Sequence, residues 1–249
     1  MTKPESILFF GTCLIDMANP EAGLAGMRLI ERAGIRVRFP QGQTCCGQPA
    51  YNAGYREEAR RVARLQLDVL AGDEPILVPS ASCAGMMRTH YPRLFEGTPD
   101  AARAGQVAGR VVEFCDFLHR VLRIELNDLG PPIRVAVHHS CSARRQLLVA
   151  DAATALLRRL ANVSLVEPDH AHECCGFGGT FAIKEPEISS AMAGDKAAAV
   201  AATEVPLLVS QDWGCLLNIG GTAKQAGYAY RVKHIAEFLW ERTEVAHEK

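Results

Sequence analysis

The chain has 249 residues, 48% of them hydrophobic, enough for one large domain or two small ones. Its 27 Lys and Arg balance 28 Asp and Glu, with no long run of one sign, so no nucleic-acid or anionic-lipid partner is expected. No apolar run approaches the roughly 18–20 residues that span a bilayer, and Ile7–Phe10 is far shorter than a secretory signal core of about 7–15 residues. The chain is therefore expected in the cytoplasm.

The predicted elements alternate. Ile7–Gly11 reads as a buried strand. Asn19-Pro20 reads as an N-cap followed by proline at the first helical position, and Gly34 ends that helix. Ile35–Phe39 is a second strand. Tyr55–Ala71 is an amphipathic helix, with Ala59, Val62, Ala63 and Leu67 among its apolar residues. Ile76–Pro79 is a third strand. Farther along come strand Ile133–Val137, helix Arg144–Leu160, strand Val163–Val166, helix Ile188–Ala202 and strand Pro206–Val209. This alternation implies an α/β fold, a parallel sheet with helices on both faces.

The chain is also written twice. Ala33–Pro40 (AGIRVRFP) matches Ala161–Pro168 (ANVSLVEP) at an offset of 128 residues, and Cys13 falls opposite Cys141 at the same offset. Cys45-Cys46-Gly47 lies opposite Cys174-Cys175-Gly176, Cys83 opposite Cys215, and Val111–Leu118 opposite Val232–Leu239. Two halves, 1–128 and 131–249, are expected to meet at the Asp128–Pro132 segment. Ligands of such sheets sit off the carboxyl ends of the strands. Cys13, Cys83, Cys141 and Cys215 each follow a strand, and the paired cysteines lie in loops after strands. Four thiols are thus expected at one end of each sheet.

Nine cysteines are many for a chain whose compartment disfavours disulfides, so metal, cluster or redox chemistry leads. A zinc site usually draws on a C-x₂₋₄-C turn, and neither half has one, because Ser80 and Asp212 stand three residues before Cys83 and Cys215. Adjacent cysteines suit a polynuclear centre better, since each thiolate can take a different metal ion. A vicinal-dithiol redox sensor explains the pairs but leaves the other four repeated cysteines unused. One iron–sulfur cluster per half uses all eight. Zinc stays as the alternative metal, and a non-enzymatic zinc-stabilised module or redox sensor as the alternative function. Gly47, Gly176, Gly178 and Gly179 let backbone N–H groups approach the sulfurs. No G-x-G-x-x-G, Walker loop or G-x-S-x-G elbow is present.

The C…CCG…C repeat resembles the cysteine-rich CCG domain of heterodisulfide reductase subunits and of glycolate and glycerol-3-phosphate dehydrogenase iron–sulfur subunits. The strings PQGQTCCGQPAYNAGY, VPSASC, HHSCSARRQL, CCGFGGTFAIK and CLLNIGG resemble one branch, the lactate-utilisation iron–sulfur proteins. The resemblance runs over nearly the whole chain. It implies two Rossmann-like CCG domains and cluster ligands Cys13, Cys45, Cys46 and Cys83, then Cys141, Cys174, Cys175 and Cys215, with clusters of the 4Fe–4S type. It further implies a subunit of an L-lactate-oxidising complex that yields pyruvate, with two companion proteins, one carrying ferredoxin-like clusters. Many members carry a further cysteine at the positions of Ser80 and Asp212. Their absence leaves a four-cysteine cluster, or an oxygen ligand from Asp212.

Other residues have plainer readings. Cys115 is expected to be a small core residue. His138 and His139 are expected to make hydrogen bonds at a strand end, with a role as proton relay or hydrogen-bond donor to a second-half cluster as the sharper reading. Arg144 and Arg145 are expected in solvent, with a substrate carboxylate as the other possibility. Trp213 is expected to pack and shield a site. His170, His172 and Glu173 give the second site a different polarity from the first.

Overall fold

A computed structural model describes residues 2–244; residues 245–249 of the second expected half lie outside the described residues. It contains two four-stranded, all-parallel sheets. The first is built from β1 (Ser6–Phe9), β2 (Arg36–Arg38), β3 (Ile76–Val78) and β4 (Val111–Glu113), in the order β2-β1-β3-β4. The second is built from β5 (Ile133–His138), β6 (Val163–Val166), β7 (Leu207–Ser210) and β8 (Arg231–His234), in the order β6-β5-β7-β8. The duplication read from the sequence is therefore a duplication of topology. The short final strands β4 and β8 are the elements that residue patterning did not mark as strands.

The inner strands β1, β3, β5 and β7 form because they are short runs rich in large apolar and β-branched residues covered by helices. Ile7, Leu8, Phe9, Ile76, Leu77 and Val78 are all 1% exposed or less. In each sheet the chain leaves the first strand for one neighbour and returns on its other side. The strand order reverses beside β1 and again beside β5, and such a reversal opens a crevice at the carboxyl ends of the strands. Cys13 follows β1 and Cys83 follows β3, whose Leu77 pairs with Phe9. Cys141 follows β5 and Cys215 follows β7, whose Ser210 pairs with His138. Parallel registry thus sets residues about 70 positions apart in sequence at the same crevice.

The hydrophobic core runs through both halves. One cluster joins Phe9, Leu29 and Leu77 to Val135, Leu156, Val209 and Leu239. The helix after β8, Ile235–Thr243, packs on the Pro20–Arg32 helix of the first half, where Arg32 donates to the Thr243 carbonyl (2.8 Å) and hydroxyl (2.7 Å). The segment after β4 packs on the Ala150–Arg158 helix of the second half. At the junction, buried Arg242 meets Asp128 through Nε (2.7 Å) and the Pro131 carbonyl (2.6 Å), while the Asn162 N–H donates to the other Asp128 oxygen (2.7 Å).

Two local expectations differ from what is found. Asn19 stands at the helix start but its side chain makes no cap; it donates instead to Glu237 at 2.6 Å, tying the first half to the last helix. The helix expected over Arg144–Leu160 is broken. A π turn covers Ser142–Gln146, Leu148 takes a left-handed φ of +58°, and the helix resumes at Ala150. Tertiary contacts win here: Gln146 donates to the Gly85 carbonyl (2.9 Å), and Leu147 and Val149 pack with Ala81 of the first half.

Repeat-related residues close β4 and β8 differently. Glu113 is buried; one carboxylate oxygen accepts from the Asp116 N–H (2.9 Å), and Oε1 has no partner among the described residues. Its counterpart His234 accepts from the Ala236 N–H (3.2 Å) and donates from Nε2 to the Pro79 carbonyl (2.9 Å). Burial pushes the Glu113 carboxyl up to about 8. An unfolded Glu releases its proton near 4.3, so the folded state holds the proton longer and stability falls as pH rises between these values. Urea unfolding at about pH 5 and about pH 8 should show that loss in the wild type and a much smaller one in Glu113→Gln. Equal losses in both proteins would remove Glu113 as the source.

Candidate metal centre

The first crevice gathers the first four repeated cysteines. Cys13 opens the Cys13–Ala18 helix, and Cys83 lies in the first turn of the Ala81–Gly85 helix. Cys45 and Cys46 end the loop after β2. The Sγ atoms of Cys46 and Cys83 are 3.4 Å apart, and Cys45 is within hydrogen-bonding reach of both Cys13 and Cys46. All four line one cavity of about 220 Å³. A water takes about 30 Å³, so this space suits a group of several heavy atoms.

The second crevice repeats the arrangement. Cys141 caps the π turn at Ser142, and Cys215 lies in the first turn of the Trp213–Gln225 helix. The Sγ atoms of Cys175 and Cys215 are 2.9 Å apart, and Cys174 reaches both Cys141 and Cys175. These four line a second cavity, also about 220 Å³.

Backbone N–H groups serve both sites. Gly47 N–H points to Cys45 Sγ and Gly176 N–H to Cys174 Sγ, each at 3.4 Å. Both glycines hold left-handed φ values, +86° and +78°. A Cβ would lie 3.1 Å from the Ala59 carbonyl at Gly47 and 2.7 Å from the Ser189 carbonyl at Gly176. The CCG triplets thus need glycine both for conformation and for close approach to a helix.

The electrostatics single out one thiol in each set. Hydrogen bonds from Cys13, then Cys46, hold Cys45 well below the usual thiol range, and the contact with Cys45 pushes Cys13 up. Cys174 is held down in the same way by Cys141 and then Cys175, while Cys141 is pushed up by its contact with Cys174. One anion per site is favoured and further anions repel it. A bound cation removes that limit, and four soft sulfur donors select zinc, Cu(I) or an iron–sulfur cluster. The donor set therefore fits the thiolate-held centre expected from the sequence.

The remaining candidates separate clearly. Ser80 and Asp212 meet between the two sites: the buried Asp212 carboxylate accepts from Ser80 Oγ (2.7 Å), Ser82 Oγ (2.6 Å) and the Ser82 N–H (2.9 Å). Both carboxylate oxygens are therefore engaged by the first half. Cys115 is fully buried in the shared core. His139 meets Gln211 (3.3 Å) and Thr154 (3.0 Å), the strand-end role expected of it. His138 does not follow that reading, because its Nε2 is buried with no partner among the described residues. Arg144 and Arg145 are turned to a structural task, bonding Ala171 O (3.3 Å) and His172 O (3.4 Å) in the loop before Cys174. His170 pairs with Glu173 at 2.8 Å in that same loop. Trp213 lines the first cavity. Sequence patterning missed the cross-half walls: Phe177, Thr180 and Ile183 enclose the first cavity, and Gln48, Asn52 and His90 the second.

The cysteine-rich domain family, CCG, matches residues 7–88 and 135–220, one match per half. The chain belongs to the cysteine-rich CCG family. This CCG chain is 42% identical over 236 residues to lactate utilization protein A of Geobacillus kaustophilus, covering 94% of this chain and 98% of that protein. It is 41% identical over 239 residues to lactate utilization protein A of Bacillus velezensis, covering 95% and 99%. Among solved structures, a hypothetical protein from Helicobacter pylori superposes with a TM-score of 0.65 at 7% identity, over 100% of this chain and 50% of that one, a likeness of fold.

The glycine requirement is open to test in this CCG chain. Gly176→Ala forces a left-handed alanine against a carbonyl and should cost about 1–3 kcal/mol in chemical denaturation. Gly221→Ala, in a helix with nothing within 4 Å of the added Cβ, should stabilise by about 0.5–1 kcal/mol. A Gly176→Ala protein as stable as the wild type would mean that the second CCG loop is free to rearrange.

Proposed function

We propose that the protein is an iron–sulfur electron-transfer subunit of a multi-protein system that oxidises L-lactate, or a similar 2-hydroxy acid, to pyruvate. Each half, 1–128 and 131–249, holds one cluster of the 4Fe–4S type. Cys13, Cys45, Cys46 and Cys83 ligate the first, and Cys141, Cys174, Cys175 and Cys215 the second. Companion subunits, one with ferredoxin-like clusters, exchange electrons with it in the cytoplasm. The observation that carries this reading is the convergence of four thiols on each of two cavities that share walls. The relatives named for lactate utilisation support the substrate. Among the described residues no helix is long and apolar enough to cross a membrane.

An iron–sulfur cluster supplies one-electron transfer when bound. The chain's own residues do the rest. Cys13, Cys83, Cys141 and Cys215 present sulfur just beyond the strand ends, and the paired cysteines present it from the loops after β2 and β6. Gly47 and Gly176 direct N–H groups at sulfur, which tunes the charge a centre carries. Phe177 borders both cavities and gives them a shared apolar wall. Gln48 and Ser82, also shared, place polar atoms at that boundary.

Protein purified without oxygen should be brown and contain iron and acid-labile sulfide. Colourless protein with stoichiometric zinc would establish a structural metal instead. Cys45→Ala and Cys174→Ala should each lower the iron content, whereas Cys115→Ala should leave it unchanged. Equal losses in all three variants would show that the ligands are assigned wrongly.

A further inference from the structure

The two halves repeat their sulfur atoms but not the residue behind them. The position two residues before the end of the β1–Cys13 connection is Phe10, fully buried and packed in the first-half core with Cys46 and Cys83. Its counterpart, at the offset that relates Cys13 to Cys141, is His138. This histidine ends β5, is 4% exposed, and pairs in register with Ser210 of β7. Its Nε2 has no hydrogen-bond partner among the described residues. A ring nitrogen of His138 and the Sγ atoms of Cys175 and Cys215 all lie within 4.8 Å of one another. Its neighbour His139, by contrast, is satisfied by Gln211 and Thr154.

Burying an imidazole without a partner costs free energy, of the order of 1–3 kcal/mol for an unsatisfied polar group. Phenylalanine fills the equivalent space in the first half at no such cost. A buried imidazole with an unpaired nitrogen, and a ring nitrogen within 4.8 Å of two sulfur donors, is compensated when a metal ion takes a ring lone pair. Imidazole joins thiolate readily around zinc and iron alike. We infer that His138 supplies a nitrogen donor to the metal centre of the second half, so that this centre is bound by sulfur and nitrogen and the first by sulfur alone. The inference rests on the cluster-binding reading above. It makes the two centres chemically distinct inside a repeated fold.

The test uses the full chain, labelled with ¹⁵N-histidine and with ⁵⁷Fe, and loaded anaerobically with iron and sulfide. Pulsed paramagnetic resonance of the reduced protein reads histidine nitrogen coupled to the centre. Mössbauer spectra read an iron with a nitrogen ligand in any oxidation state. The wild type should show both signals. They should vanish in His138→Phe, which copies the first half, and persist in His139→Gln, while most of the iron remains bound. Should His138→Phe fail to fold, His138→Gln is read in the same way. A loaded wild type without a nitrogen-ligated iron would overturn the inference and leave the cluster reading standing. So would signals that persist in the His138 variants. A wild type that takes up no iron would overturn both.

Discussion

Crowding four thiols into one crevice, two of them buried, is electrostatically self-limiting. Cys45 and Cys174 are held below the usual thiol range, and contact with them pushes Cys13 and Cys141 up, because like charges a few ångströms apart repel. The fold spends considerable structure to keep them together regardless. Parallel registry brings the ends of β1 and β3, and of β5 and β7, side by side. Left-handed glycines let each CCG loop press against a helix. A bound cation relieves the repulsion that this geometry creates, so the arrangement suits a thiolate-held metal centre.

Much of this was legible in the sequence. The offset of 128–132 residues between matching cysteines exposed the duplication, and the placement of Cys13, Cys83, Cys141 and Cys215 after short apolar runs put them at strand ends. Patterns of that kind survive because burial and backbone geometry act locally. What was not legible depends on contacts between the halves. The π turn at Ser142–Gln146 and the left-handed Leu148 follow from Gly85 and Ala81, more than 60 residues away. Asn19 has the chemistry of a cap, yet Glu237 takes its side chain. The strands β4 and β8 run directly into the helices that follow them, with no Gly or Pro to mark where each strand ends. Phe177 reads as part of a glycine-rich loop and becomes a wall common to both cavities.

Asp212 shows how duplicated halves acquire a joint. It stands three residues before Cys215, as Ser80 does before Cys83, and the two meet across the molecule. Burial pushes the Asp212 carboxyl up, yet three donors from Ser80 and Ser82 satisfy it. A carboxylate so engaged fixes the Cys83 helix start relative to the Cys215 helix start, and hence one site relative to the other. The exchange of terminal helices between halves does the same at larger scale.

Divergence within the repeat is concentrated on one side. His138 replaces Phe10, and Lys196, buried and bonded to the His170 carbonyl, occupies the helix position that Gln66 holds in the first half. Gln66 bonds Thr44 at 2.5 Å, a neutral contact in the loop before Cys45. Both halves therefore brace the loop before the paired cysteines from the same helix, but the second does so with a cation. The Lys196 cation favours the ionised form of Cys215. Two crevices with the same sulfur geometry thus differ in the charge and polarity around them. A duplicated fold needs that kind of difference if two adjoining centres are to have unequal affinities for an electron.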